Sequence, residues 1–170
     1  VYDKLVSMCL VISIIIPVLN EGKILRGTLN RLRLSDKEEL IVVDGGSSDD
    51  TVAIAGEFTD KVFTAKSGRA SVMNYGTQKA SGDMLLFLHA DCTLPDNAFQ
   101  MIREALSNKG VAAGAFNLSI DHPGFSFRVI EFGTKIRTLI ASLLYGDQGM
   151  FLRKETFERI GGFADIPLME

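Results

Sequence analysis

A chain of 170 residues, 46% hydrophobic and 23% charged, falls within the size range of one globular domain and is long enough to bury a core of roughly 70% of its unfolded surface. A net charge of −3 and a pI near 5.4 supply no electrostatic footprint for nucleic acid, so no nucleic-acid partner is expected. Two cysteines, Cys9 and Cys92, are too few for a disulfide framework, which points to a reducing, cytoplasmic setting.

Met8–Leu19 is apolar but falls short of the about 20 residues that cross a bilayer. Asn20-Glu21 follows it where a signal peptide would have a small-residue cleavage site. It reads as a buried first strand, Val11–Val18, with Met8 as the candidate natural initiator. Glu21–Leu34 follows with helical spacing, Asn20 as its cap and Glu21 at the positive end of its dipole. Leu40–Val43 is a second strand ending at Asp44, and Asp49–Phe58 a second helix capped by Ser47 or Ser48. Lys61–Thr64 is a short strand, Gly68–Ala80 a helix and Asp83–Leu88 a strand buried on both faces. Asn97–Leu106 is helical, Val111–Ile120 a strand, and Gly146–Arg153 a turn into another strand. Lys154–Ile160 is a short helix closed by Gly161-Gly162, which suits a left-handed cap.

Strand and helix alternate throughout, so the fold class is α/β with a mostly parallel central sheet and helices on both faces. One domain, 1–170, is expected. Its closing stretch Phe163–Glu170 carries no helix-stop or tail signal, as a chain cut short would. Phe125–Leu144 keeps a helical period with Arg128, Lys135 and Arg137 interspersed. It is expected to pack on the sheet, the alternatives being a membrane-surface helix or a homodimer contact.

Glu21, Asp44 and Asp91 each follow an apolar strand, and a parallel sheet brings such ends to one edge. One acid there is a cap; Thr93 and Pro95 would complete a turn begun by Asp91. Converging acids need a partner, most simply a cation or a ligand rich in donors. In Asp44–Thr51, Gly45 and Gly46 leave room for a flat ring or ribose, Asp44 could accept from a base N–H and Asp49 from ribose hydroxyls, although Ser and Asp also simply begin helices. Arg69 opens a helix whose amides favour anions and suits a diphosphate, although a lone Arg is more often a solvated helix end. Asp147 and Gln148 form either a plain turn or a polar pocket floor. His89 is a metal ligand or a backbone-satisfied histidine; His122 reads as exposed, Cys92 as a small buried side chain. No G-x-G-x-x-G follows the first strand and no G-x-x-x-x-G-K-[ST] occurs, which disfavours dehydrogenases and P-loop NTPases. A nucleotidyltransferase would place a Gly-rich, Arg-containing loop where Pro17–Glu21 stands.

Taken in order, Ser13–Glu21, Val42–Thr51, Gly68-Arg69 with Asn74 and Gly76, His89-Ala-Asp91, Arg153-Lys154 and Gly161-Gly-Phe163 resemble a family 2 glycosyltransferase of GT-A fold over nearly the whole chain. FLHAD, YGDQGMFLRKE and GGF-x-x-IPLME resemble the bacterial subgroup called rSAM/selenodomain-associated transferase 2. The resemblance implies a nucleotide-diphosphate sugar as donor, an unknown acceptor and a Mg²⁺ or Mn²⁺ ion. It implies that Glu21 and Asp44 contact base and ribose, Asp49 the ribose and Arg69 the diphosphate, with Pro17, Gly46 and Asn74 completing the donor pocket. Asp91 would be the metal-binding acid, with His89 where the family often has another Asp. Glu170 would match the first residue of the family's catalytic Glu-Asp pair, with Asp147 as a second catalytic position. Because the matching Asp would come next, this chain is expected to bind donor better than it turns it over. The rival reading is a non-catalytic scaffold of the same fold, with 125–144 as its partner surface.

Overall fold

The computed structural model describes residues 10–65, 68–116 and 149–164. Cys9, Lys66, His122, Asp147, Gln148, Glu170 and the whole of 125–144 lie outside them. The described strands are β1 (Ile12–Val18), β2 (Glu38–Asp44), β3 (Val62–Thr64), β4 (Met84–Phe87), β5 (Ala113–Ala115) and β6 (Met150–Arg153). The described helices are α1 (Gly22–Arg31), α2 (Thr51–Gly56), α3 (Arg69–Lys79), α4 (Ala98–Ser107) and α5 (Lys154–Arg159).

The strands form one sheet in the order β3-β2-β1-β4-β6-β5. β1 pairs in parallel with β2 and β4, and β2 with β3. β6 runs antiparallel to both β4 and β5, so the sheet is mixed at that side. The alternation along β1 explains the layering. Ile12, Ile14 and Ile16 pack with Leu25 and Leu29 of α1, Ile54 of α2 and Ile102 of α4 on one face. Ile15 packs with Ile41, Val43, Val72 of α3 and Phe157 of α5 on the other. Successive side chains of a strand point to opposite faces, so a strand that is apolar throughout must be covered on both. The described helices are therefore distributed on both faces as the sequence predicts, although most begin or end one to three residues inside the expected limits. Of the expected Val111–Ile120 strand, 113–115 is strand and Val111, Ala112 and Phe116 are not, while 117–120 lies outside the described residues.

Two adjacent residues fasten opposite faces. Arg153 Nη1 donates to Val111 O at 2.8 Å, and Nη2 donates to Leu106 O and to Asn108 O, at the end of α4. Lys154 Nζ donates to Ala80 O at 2.7 Å, the C-cap of α3. Cations at helix C-termini answer unsatisfied carbonyls and the negative end of the dipole. Gly161 and Gly162 (φ 83° and 78°) end α5 as expected, and Phe163 then packs edge-on to Phe87 and Phe157.

The amino edge of the sheet is held by charge. Arg103 of α4 pairs with Glu38 at 2.5 Å and also donates to Lys37 O and Leu10 O. Beside it, Glu39 accepts from Lys61, Ser13 and both the amide and hydroxyl of Ser81. Burial alone would push the Glu39 carboxyl up; these hydrogen bonds outweigh it and hold the group down from 4.5 to about 2. A carboxylate lowered in the folded state stabilises above its unfolded pKa, and the contribution is lost as pH falls toward the folded value. Melting temperature is therefore expected to fall between pH 4.5 and 2. Glu39→Gln should flatten that fall by roughly 5 °C, as a scanning calorimeter would read; a variant with the same acid profile as the parent would refute it.

Candidate functional site

Because β1, β2 and β4 run parallel, their carboxyl ends share one edge, where register pairs Val18 with Asp44. The loops leaving them enclose a cleft of about 280 Å³. Glu21 from the loop after β1, Arg69 from the first turn of α3, and His89 and Asp91 from the turn after β4 all line it. Pro17, Leu19, Gly45 and Val72 supply much of the rest of its wall. Two carboxylates and a guanidinium around one opening suit a ligand that brings both a cation and an anionic group.

Gly68, the N-cap of α3, has φ 123°, a conformation that L side chains rarely adopt, and it lines the cleft together with Arg69. The turn after β4 is anchored from beneath: Thr28, buried on α1, donates its hydroxyl to Ala90 O. Cys92 N donates to His89 O at 3.1 Å, and Cys92 Sγ to Asp91 Oδ1 at 3.6 Å. Asp91 itself is exposed, whereas Cys92 is half-buried rather than fully so.

The other expected site residues have different settings. Asp44 lies on the same edge but is 3% exposed and is not among the cleft-lining residues. Its carboxylate accepts from Gly46 N at 3.0 Å and from Ser47 N at 3.0 and 3.1 Å, in a turn that Gly46 closes at φ 105°. Asp49 joins two helix starts: Oδ2 accepts from Gly22 N at 3.1 Å and Oδ1 from the amide and hydroxyl of Thr51. The Thr51 hydroxyl, above all, holds the Asp49 carboxyl below the usual carboxylate range. Asn74 faces Phe163: its Nδ2 donates to Phe163 O and its Oδ1 accepts from Phe163 N, both at 2.9 Å.

The helix caps differ from expectation. Glu21, not Asn20, is the N-cap of α1, and Asp50, not Ser47 or Ser48, is that of α2; neither makes a side-chain cap bond. Asn20 instead adopts φ 56° and binds the facing loop through Ser47 and Ser48. Sequence reasoning also missed Leu19 and Val72 as cleft wall and Thr28 as anchor. A hydroxyl on the buried stripe of α1 was the legible signal for Thr28.

Among the described residues, no three His, Cys, Asp or Glu side chains converge as a ready-made metal cage. A carboxylate in an open cleft fits instead an ion such as Mg²⁺, which is commonly held by one or two carboxylates together with the phosphates of its substrate. None of the described helices is long and apolar enough to cross a membrane.

The model of the family described as "Glycosyl transferase family 2" matches residues 13–164. The chain is 33% identical over 140 residues to the uncharacterized glycosyltransferase Rv1514c of Mycobacterium tuberculosis, covering 77% of this chain and 53% of that protein. It is 27% identical over 186 residues to the probable glycosyltransferase YdaM of Bacillus subtilis, covering 94% of this chain and 44% of that one. Among solved structures, the mannosyltransferase PcManGT of Pyrobaculum calidifontis, in complex with GDP-Man and Mn²⁺, superposes with TM-score 0.68 at 20% identity over 91% of this chain and 47% of that chain. S. aureus TarS 1-349 in complex with UDP-GlcNAc superposes with TM-score 0.69 at 16% identity over 91% of this chain and 48% of that one. The chain thus spans about half the length of these relatives.

Proposed function

This chain belongs to glycosyl transferase family 2, and from that premise we propose that it moves a sugar from a nucleotide-diphosphate donor to an acceptor hydroxyl, with inversion at the anomeric carbon and with Mg²⁺ or Mn²⁺ assisting. The observation that carries the reading is the meeting of Glu21, Arg69 and Asp91 in one cleft at the carboxyl edge of the sheet. The GDP-Man and Mn²⁺ bound by the mannosyltransferase PcManGT are in keeping with such a donor and ion. The FLHAD and YGDQGMFLRKE motifs support assignment to the rSAM/selenodomain-associated transferase 2 subgroup.

In this reading the nucleoside lies along the apolar wall of Leu19 and Val72, with Glu21 accepting from ribose or base. Arg69 receives the diphosphate, where a guanidinium offers paired donors that fit phosphate oxygens. Asp91 would hold the cation, and its neighbour His89 borders the same space. The ion, when bound, neutralises charge on the departing diphosphate. A carboxylate then takes the proton of the acceptor hydroxyl, whose oxygen attacks the anomeric carbon as the bond to the diphosphate breaks. Glu170 is the candidate for that base and Asp147 the second catalytic position; both lie outside the described residues. The roles of Asp44 and Asp49 are indirect here. Asp44 shapes the turn that places Gly45 on the cleft, and Asp49 ties the two helix starts beside it.

Calorimetric titration with UDP and with GDP, each with and without Mn²⁺, tests the proposal. One nucleotide should bind in the micromolar range with the ion and about tenfold or more weakly without it. Absence of binding to both at millimolar nucleotide would refute the donor reading.

A further inference from the structure

Five hydrogen bonds fasten the segment after β1 to the segment after β2, one of them from Ser48 Oγ to Asn20 Oδ1 at 3.2 Å. Asn20 N donates to Ser47 Oγ at 2.8 Å, and Ser48 N donates to Asn20 Oδ1 at 2.8 Å. Glu21 N donates to Thr51 Oγ1 at 2.9 Å, and Gly22 N to Asp49 Oδ2 at 3.1 Å. The loops meet so closely that a Cβ on Gly22 would stand 2.0 Å from Asp50 Oδ1. Asn20 has the one left-handed non-glycine backbone among the described residues, with φ 56°. Its neighbours on either side, Leu19 and Glu21, both line the cleft, as does Gly45 from the facing loop.

A left-handed residue reverses the chain locally, and asparagine is among the few residues that adopt it readily. The amide side chain then serves a second purpose, because its oxygen accepts from the backbone N–H and the hydroxyl of Ser48. We propose that Asn20 is a positioning residue for the donor nucleoside. It touches neither nucleotide nor ion, yet it sets the separation between the Leu19–Glu21 wall and the Gly45 wall of the pocket. This rests on the donor reading above.

The test separates backbone from side chain. Asn20→Gly keeps the left-handed conformation and removes the amide oxygen; Asn20→Asp keeps an oxygen acceptor facing Ser48 N. Affinities for UDP and GDP with Mn²⁺ are measured by calorimetry and melting temperatures by thermal unfolding. The glycine variant should melt within about 3 °C of the parent. It should bind the preferred nucleotide roughly tenfold more weakly, the size expected for losing one or two net hydrogen bonds that hold a site in shape. The aspartate variant should recover to within about threefold of the parent. A glycine variant with parental affinity, an aspartate variant no better than glycine, or an affinity loss that comes only with a collapse in melting temperature overturns the positioning role. A parent chain that binds neither nucleotide overturns the donor reading and the positioning role with it, a result distinct from the other three.

Discussion

Asp91→Ala is expected to remove the Mn²⁺-dependent part of UDP or GDP binding, a loss of about tenfold or more in affinity with the ion present and little change without it. The argument starts at β4. Met84–Phe87 is buried on every residue, so the chain emerges from a region of low polarity straight into the cleft. Asp91 is exposed there, near Glu21 and Arg69, and it is the acid that the turn after β4 contributes to the cleft. A divalent ion shared between one carboxylate and a diphosphate loses its only anionic anchor on that turn when the carboxylate goes. Because the Asp91 side chain is exposed, the same substitution should leave melting temperature nearly unchanged. Titration of parent and variant with and without Mn²⁺ reads both quantities. An ion effect of undiminished size in the variant would move the metal site elsewhere.

Gly76→Val is expected to cost about 3 kcal/mol of stability, at the upper end of what overpacking a core produces. A Cβ on Gly76 would lie 2.6 Å from Ile15 Cγ2 and 3.1 Å from Val43 Cγ2. Both partners are 0% exposed, on adjacent strands, so neither has room to give. Replacing glycine in a helix gains a few tenths of a kcal/mol in propensity, which is too little to offset the clash. Gly27 is the control: it lies in α1 with nothing within 4 Å of a built Cβ, so Gly27→Ala should be neutral or stabilising by about 0.5–1 kcal/mol. Urea midpoints at constant slope would read both. A Gly76→Val midpoint equal to the parent's would show that α3 can lift off the sheet without penalty.

The sequence was informative where periodicity and strand ends carried the signal. β4 is a continuous apolar run bounded by Gly82 and Pro95, and β1 is apolar but for Ser13, so both have few alternatives to a buried strand. The convergence of Glu21 and Asp91 followed from parallel topology alone, since three parallel strands leave their carboxyl ends no second edge. What the residues could not disclose was how side chains are used across loops. Asn20 before a helix has the composition of a cap, and only the partner loop, 27 residues away at Ser47, reveals that it is a bridge. Asp49 and Asn74 failed to be legible for the same reason: their partners Gly22 and Phe163 are 27 and 89 residues distant. Local rules capture what a side chain does within its own turn, as Asp49 does for Thr51, but not the distant turn that each of these side chains serves.

The fastening of α3 and α4 by Arg153 and Lys154 bears on how the molecule is made. During synthesis, α3, β4 and α4 leave the ribosome well before β6 exists. Until Met150–Arg153 arrives, the β4 edge that it will cover has no strand beside it, and the carbonyl ends of two helices lack their cations. A nascent chain in that interval carries an open hydrophobic edge of the kind chaperones bind. Met150–Lys154 then covers the edge and brings a cation to both helix ends together, so these contacts are concentrated in a few consecutive residues.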